Sequence, residues 1–278
     1  MFSVSAPPDA EWAMPALVKG SVGLHLLAAG AAAAMPQFAW WALGSVAANH
    51  LLLTGAGLWP RSRLLGPNIS RLPAHRAARG EICLTIDDGP DPQVTPAVLD
   101  LLDAEKIQAT FFCIAEQAAR HPALTREIVA RGHAVENHSF RHRHDFSLLG
   151  LGGYRAEITR AQQTLAELTG RRPVFFRAPA GLRNPFLDPV LHQLGLRLVS
   201  WTRRGFDTRE RDPARVLDRL TDDLAGGDIL LLHDGNAARS AAGRPVLLEV
   251  LPQLAARARS RGLRWAALAD AETGAPSR

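Results

Sequence analysis

The sequence predicts an α/β fold in which a mainly parallel sheet of about seven strands follows an N-terminal hydrophobic helical hairpin. Two patterns carry this prediction. Residues 20–59 are uncharged and mostly apolar, and from residue 81 onward short β-prone runs alternate with helical stretches. Repeated βα units indicate parallel strands, arranged either as a barrel or as an open doubly wound sheet. In both arrangements the chemistry lies at the carboxyl ends of the strands.

The hydrophobic hairpin consists of two stretches, residues 20–35 and 38–59. The second is long enough to cross a bilayer, and tryptophans near its ends suit the membrane interfaces. The first is short and rich in Ala and Gly, so a weak span, a re-entrant segment and a signal-like segment all remain open. The alternative for both stretches is a pair of helices packed on a soluble domain.

Flanking charge predicts the orientation of this hairpin. Lys19 precedes it, whereas five arginines lie between residues 61 and 79. The positive-inside bias therefore predicts a bacterial inner-membrane protein whose C-terminal part is cytoplasmic. The expected organisation is a membrane anchor at 1–60, a linker at 61–80, a catalytic domain at 81–270 and a tail at 271–278.

Seven apolar runs are the candidate strands, with helical patterns between most of them. Helices are expected at residues 95–105, 122–131, 154–169 and 213–225. The strand runs are ICLTI, ATFFCIA, HAVEN, PVFFRA, LRLVSW, DILLLH and LRWAAL.

Composition excludes several classes of protein. Among the 278 residues, 47% are hydrophobic and 21% are charged, which does not fit a disordered or fibrous chain. The formal charge of +5 would suit a nucleic-acid binder, but the arginines are scattered and form no cluster interleaved with aromatic residues. No nucleic-acid partner is expected. Cys83 and Cys113 lie in apolar runs and are expected to be reduced core thiols.

Two adjacent carboxylates, Asp87 and Asp88, end the first predicted strand. Successive side chains of an extended backbone point to different sides, so one carboxylate could bind a metal while the other acts as a base. The alternative is an ordinary turn, because Gly89 and Pro90 follow.

His138 and His142 follow the third predicted strand. Histidines four residues apart come to one side of a helical turn, which suits two ligands of one metal ion. An accidental pair is the alternative, since the chain has ten histidines.

Three more polar residues follow later strands. Arg177 could hold a carboxylate by a bidentate pair, and the turn after it could form an oxyanion hole. Asp207 comes six residues after Trp201, and His233 stands where an apolar strand ends. Each has a structural alternative, but their recurrence at successive strand ends indicates an active site.

These motifs, TIDDGPD, HSFRH, RAPAG, Trp201 followed by Asp207, and LLLHDG, resemble those of the NodB-homology polysaccharide deacetylases, carbohydrate esterase family 4. The resemblance covers residues 81–270 and implies a distorted (β/α) barrel and metal-dependent removal of N-acetyl groups from amino sugars. By the family's motifs, Asp87 would be the general base, Arg177 would orient it, His233 would be the general acid tuned by Asp207, and Asp88, His138 and His142 would be metal ligands.

One divalent ion is expected, with zinc preferred and nickel, cobalt or iron as alternatives. The backbone N–H of Ala180 is the expected oxyanion donor, and Trp201 lines the expected substrate site. The family usually has an aromatic residue at the position of Ala180, so stacking of a long glycan is not expected. Arg183, Arg203 and Arg204 lie near the predicted mouth, where they would suit a phosphate.

The expected substrate is therefore an N-acetylated amino sugar, in an envelope glycan or on a lipid phosphate at the membrane. A deformylase or another small-amide hydrolase on the same scaffold is one alternative. A catalytically inactive glycan-binding barrel is the other.

Overall fold

Parallel strands form the centre of the molecule in a computed structural model that describes residues 11–268. They lie in the order β5-β4-β3-β2-β1-β7-β6, and β8 pairs with β1. Every pair of adjacent strands is parallel, which confirms the predicted curled, barrel-like sheet. The strands are β1 (Glu81–Asp87), β2 (Ala109–Cys113), β3 (Ala134–Asn137), β4 (Phe175–Phe176), β5 (Arg197–Leu198), β6 (Arg203–Arg204), β7 (Ile229–His233) and β8 (Arg264–Trp265).

The four helices named from the sequence after the hairpin agree with the structure to within four residues, and the first of them has the predicted bounds. Strand β6 was not predicted, because a strand of two arginines contains no apolar run. The helices are α1 (Ala16–Ala34), α2 (Ala39–Leu58), α3 (Ala74–Ala78), α4 (Thr95–Glu105), α5 (Ala115–Arg120), α6 (Pro122–Ala130), α7 (Leu151–Thr169), α8 (Leu187–Gln193), α9 (Pro213–Thr221) and α10 (Val246–Ser260).

The pleat of β1 separates two cores. Ile82, Leu84 and Ile86 pack against the surrounding helices, whereas Cys83 belongs to a cluster on the other face of the sheet, inside the curve. Because side chains alternate along a strand, Asp87 also faces inward, four positions after Cys83. The strand therefore delivers a carboxylate to the inner side of the barrel mouth.

Both cysteines are buried, as the apolar runs predicted. Cys83 lies inside the curve of the sheet, and Cys113 lies in the core that packs against the helices. Burial raises the pKa of the Cys113 thiol well above its ordinary value, which keeps it protonated.

Residues 61–80, expected to be a linker, fill the gap between β5 and β7. The Ile69 N–H donates to the Leu198 carbonyl at 2.9 Å, and the Leu72 N–H donates to the Gly227 carbonyl at 2.8 Å. The segment thus supplies backbone hydrogen bonds at the open side of the sheet.

The end of this segment is also anchored. Arg76 is 2% exposed, forms an ion pair with Glu81 and donates to the Ala267 carbonyl at 3.1 Å. The domain boundaries given above stay a prediction, and the expected tail at 271–278 lies outside the described residues.

Helices α1 and α2 form the predicted hairpin, joined by a short turn at Pro36–Phe38. Within residues 11–268, α1 is the one helix that is long and apolar enough to cross a membrane, judged by length and composition. The sequence pattern favoured the second stretch instead. Helix α1 begins at Ala16, before the uncharged stretch starts, and this extension gives it the required length.

The hairpin contacts the barrel closely at Gly57. The Arg183 N–H donates to the Gly57 carbonyl at 3.2 Å, and a Cβ added to Gly57 would lie 2.1 Å from the Arg183 carbonyl oxygen. The Arg183 guanidinium also donates to the Ser62 carbonyl. Only a glycine permits this approach of two backbones.

Gly57→Ala is expected to destabilise the protein by about 1–3 kcal/mol, because the added methyl group must push the hairpin away from the barrel. Gly55→Ala is the matched control, since a Cβ there meets nothing within 4 Å. It should leave stability unchanged or raise it through helix propensity. Thermal unfolding in detergent measures both variants, and equal melting temperatures would contradict the close contact.

Candidate active site

Eight of the predicted site residues line one cavity of about 320 Å³ at the carboxyl ends of the strands, here called the strand-end cavity. Its wall also contains residues that the motifs did not single out, among them Thr208 and Asn236. The predicted residues that line it are Asp87, Asp88, His138, His142, Ala180, Trp201, Arg204 and His233.

Asp87 and Asp88 both face this cavity, although they are neighbours in sequence. Asp87 is the last residue of β1 and is 2% exposed. Asp88 has left the strand and has a φ of +75°, a conformation that costs energy in a residue other than glycine. This turn, and not strand alternation, brings both carboxylates to one cavity.

A buried carboxylate that the sequence analysis missed, Asp234, packs against this turn at Gly89. It accepts hydrogen bonds from the Thr95 hydroxyl at 2.5 Å and from the Gly235 N–H at 3.0 Å. Burial raises the pKa of Asp234 to about 7, although these two hydrogen bonds act to lower it. A Cβ on Gly89 would lie 2.2 Å from Asp234 Oδ2, so glycine is required there.

His138 and His142 approach the same oxygen of Asp88. Each Nε2 atom lies 3.3 Å from Asp88 Oδ1. No helical turn brings the histidines together, contrary to the expectation. An irregular loop does so, with φ values of +64° at Ser139 and +50° at His142.

These three side chains fit a divalent cation. Their donor atoms all lie within 4.8 Å of one another, and Asp88 Oδ1 is buried without a hydrogen-bond partner. His138 Nδ1 donates to the Arg177 carbonyl at 2.8 Å, which leaves the Nε2 lone pair free to face the site. Two imidazoles and one carboxylate are a common ligand set for zinc and related ions.

The charge states of the ligands agree with this interpretation. Burial raises the pKa of Asp88, but the neighbouring histidines lower it more, so the net value falls well below the ordinary one. Burial and His138 lower the pKa of His142 to about 4. Metal ligation needs this combination of an ionised carboxylate and a neutral imidazole.

Arg177 lies fully buried at the centre of the site. Its Nη1 donates to Asp87 Oδ1 at 2.6 Å and to the Thr85 hydroxyl at 2.8 Å, and its Nη2 donates to the Ser200 carbonyl at 2.9 Å. The ring of Phe112 lies 4.1 Å below the guanidinium carbon. Thr85 was missed by the sequence analysis, although it lies two residues before Asp87 and so on the same face of β1.

His233 is paired with Asp207. His233 Nδ1 lies 2.9 Å from Asp207 Oδ1, and the His233 backbone N–H donates to Oδ2 at 2.7 Å. Burial alone would lower the pKa of His233, but Asp207, with Asp87 and Asp88, raises it to about 9. The imidazole is therefore protonated at neutral pH, as a proton donor must be.

The three arginines expected at the mouth have different positions. Arg204 lines the strand-end cavity, 5.3 Å from the ring of Trp201. Arg203 instead pairs with buried Asp228 at 3.1 Å, at the amino end of β7. Arg183 is 5% exposed and lies against the hairpin, because its guanidinium contacts the chain entering the barrel.

Comparison with known proteins agrees with this geometry. Residues 75–199 match the family model described as polysaccharide deacetylase. A chitooligosaccharide deacetylase of Azorhizobium caulinodans is 37% identical over 163 residues, which are 56% of this chain and 75% of the relative. A peptidoglycan-N-acetylglucosamine deacetylase of Bacillus cereus is 31% identical over 183 residues, which are 62% of this chain and 81% of the relative.

Solved structures share the fold. The family 4 carbohydrate esterase of Streptomyces lividans, in complex with acetate, superposes with a TM-score of 0.60 at 32% identity, over 67% of this chain and 91% of that one. The peptidoglycan N-acetylglucosamine deacetylase Bc1960 superposes with a TM-score of 0.66 at 24% identity, over 73% of this chain and 92% of that one.

Asp207→Asn is expected to lower the pKa of His233 towards its ordinary value of 6.5, because the variant removes the charge that holds the imidazole protonated. Histidine NMR titration measures this pKa, and Asp218→Asn, an exposed substitution, is the control.

The same shift predicts how stability depends on pH. The pKa of His233 is higher in the folded state, so its protonation stabilises the wild type fully below about pH 6.5. That contribution is lost as the pH rises through about 9. A titration of His233 that does not change in Asp207→Asn would contradict the pairing.

Proposed function

The chain belongs to the polysaccharide deacetylase family, and from that premise we propose that it is a metal-dependent hydrolase that removes N-acetyl groups from an amino sugar. One observation carries the proposal: a buried carboxylate, a cluster of side chains that could hold a metal ion and a histidine whose pKa is raised all face one cavity. A glycan-binding barrel without activity would not need all three.

The proposed ligands are Asp88, His138 and His142, which would hold one divalent ion, with zinc preferred and nickel, cobalt or iron as alternatives. When bound, such an ion supplies Lewis acidity that lets a water molecule lose its proton near neutral pH.

Asp87 is the proposed general base. Its Oδ1 accepts a hydrogen bond from Arg177, so Oδ2 is the oxygen that can receive the proton of the attacking water. Arg177 is a positioning residue, since it fixes the carboxylate from inside the barrel. The proposed oxyanion donor is the backbone N–H of Ala180 in the turn at the cavity wall.

His233 is the proposed general acid. Its Nδ1 is held by Asp207, so Nε2 is the atom that would give a proton to the leaving amine. Loss of that proton leaves a neutral imidazole that Asp207 draws back to the protonated form. His233 thus carries the proton that the leaving amine needs, as amide hydrolysis requires.

We propose further that the substrate is linked to a lipid phosphate. Arg204 faces the cavity, and its buried Nε has no hydrogen-bond partner among the described residues. The nearby carboxylates Asp87 and Asp207 are already bonded to Arg177 and His233. A guanidinium free to bind an anion favours a sugar that carries a phosphate.

The hairpin is the proposed membrane anchor. Helix α1 has the length and composition of a membrane span, and Trp40 and Trp41 are 81% and 79% exposed at the start of α2. The arginines that follow the hairpin favour an inner-membrane protein with a cytoplasmic barrel. A reporter fused to the C-terminus distinguishes this orientation from its opposite.

Substitutions at the adjacent aspartates should separate base from ligand. Asp87→Asn is expected to keep the metal and to reduce acetate release by at least about 100-fold, because only the proton acceptor is lost. Asp88→Asn and His138→Ala should instead lose the metal. Metal content by mass spectrometry and acetate release from N-acetylated oligosaccharides are the measurements.

Equal metal loss in Asp87→Asn and Asp88→Asn would contradict the assigned roles. Full activity of the wild type in excess chelator would overturn the mechanism. Release of formate in place of acetate from the corresponding N-acyl sugars would identify a deformylase.

Arg204→Ala should raise the KM for N-acetylglucosaminyl phosphate by about tenfold, because one charge-assisted hydrogen bond is lost. The KM for a neutral chitooligosaccharide should not change. Arg211→Ala, an exposed substitution of the same charge, is the control. A similar rise for both substrates would show that Arg204 does not recognise the phosphate.

A further inference from the structure

A second cavity, about 570 Å³ in volume, lies between the hairpin and the barrel. We call it the hairpin groove. Its volume is in the range of ligand pockets. Its apolar wall consists of Val22 and Leu26 from α1, Leu53 from α2, and Leu148 and Phe186 from the barrel.

The polar groups on the groove are largely engaged with one another. His25 Nδ1 lies 2.7 Å from the Ser21 carbonyl oxygen, and His25 Nε2 lies 3.2 Å from His50 Nε2. Among the described residues that line the groove, Arg183 is the only arginine or lysine, and none is acidic. The lining therefore favours an apolar occupant and, at its charged end, an anionic group.

The groove and the strand-end cavity share one loop. Ala180 and Gly181 line the cavity, whereas Arg183 and Phe186 line the groove. The loop is tightly packed, since a Cβ on Gly181 would lie 2.6 Å from the Trp201 ring. The two cavities are therefore separated by only a few residues of this loop.

Exposed apolar side chains lie on both walls of the groove. Leu26 is 71% exposed on the hairpin, and Leu148 is 82% exposed on the barrel. A bilayer that surrounds the hairpin would therefore also meet the barrel wall of the groove. Such a continuous apolar surface connects the groove to the source of a lipid chain.

We propose that the hairpin groove binds the hydrocarbon chain of the substrate while the amino sugar occupies the strand-end cavity. This inference rests on the proposed function and deepens it, because it names the substrate class as a lipid-linked amino sugar. The hairpin is then part of the substrate site as well as an anchor. Gly57 and Arg183 keep the groove in place through their backbone contact.

Thr54→Trp tests the groove directly. Thr54 lines it from α2 and is exposed, so a large side chain there fills the groove without entering the core. Leu51→Trp is the matched control on the same helix, at a position that is 75% exposed and does not line the groove. Both variants are assayed as full-length protein in detergent.

The substrates are N-acetylglucosaminyl phosphates that carry either a long prenyl chain or a methyl group, with a soluble chitooligosaccharide as reference. Thr54→Trp should raise the KM for the prenyl substrate about tenfold. This is the change expected when about two methylene groups of the chain are no longer buried. The other KM values, and all values for Leu51→Trp, should not change. Equal effects of the two variants, or equal wild-type KM values for prenyl and methyl substrates, would overturn the proposal.

Photocrosslinking provides a measurement that does not need turnover. A prenyl phosphate with a diazirine in its chain should label peptides containing Leu26, Leu53 and Leu148 in wild type, and less so in Thr54→Trp. Labelling at Trp40 and Trp41 only would overturn the groove assignment. Labelling of the groove without deacetylation of any sugar would retain the groove and refute the proposed function.

Discussion

The active site depends on one buried cation, the guanidinium of Arg177. Its donors fix the proposed base, Asp87, and reach the backbone at Val199 and Ser200 beyond β5. The backbone carbonyl of the same residue fixes the tautomer of His138. A buried charge is costly unless it is paired and fully hydrogen-bonded, so these contacts must form together or not at all. Asp87 and His138 therefore keep a constant spacing.

Strand register also determines the geometry of the site. Asp87 and His233 are directly paired positions on β1 and β7, and both are the last residues of their strands. Both side chains point inward because directly paired residues on neighbouring strands project to the same face of the sheet. The proposed proton acceptor and proton donor are thus placed by regular backbone pairing, while the proposed metal ligands come from loops. Regular secondary structure sets the distance between Asp87 and His233, and the loops set the orientation of the other side chains.

Periodicity predicted the elements well, because helix α4 and the long strands bury apolar side chains at regular intervals. It also placed polar residues at strand ends, where Asp87, Asp88 and His233 meet. What it could not predict depends on contacts distant in sequence. Strand β6 has no apolar run, Arg183 turned to the hairpin because Ser62 accepts its hydrogen bond, and Asp234 acts through Thr95, 139 positions away. No local pattern encodes such partners.

The segment between the hairpin and β1 has a mechanical consequence. A flexible linker of about twenty residues has an end-to-end distance of roughly 25 Å, so a domain on such a linker can move that far from its anchor. Here the same length of chain is hydrogen-bonded to the sheet at Ile69 and Leu72 and to the Ala267 carbonyl through Arg76, so it does not act as a flexible tether. If the hairpin is held in a bilayer, the barrel has one fixed pose over the lipid surface. The strand-end cavity would then stay at a constant height above the membrane surface.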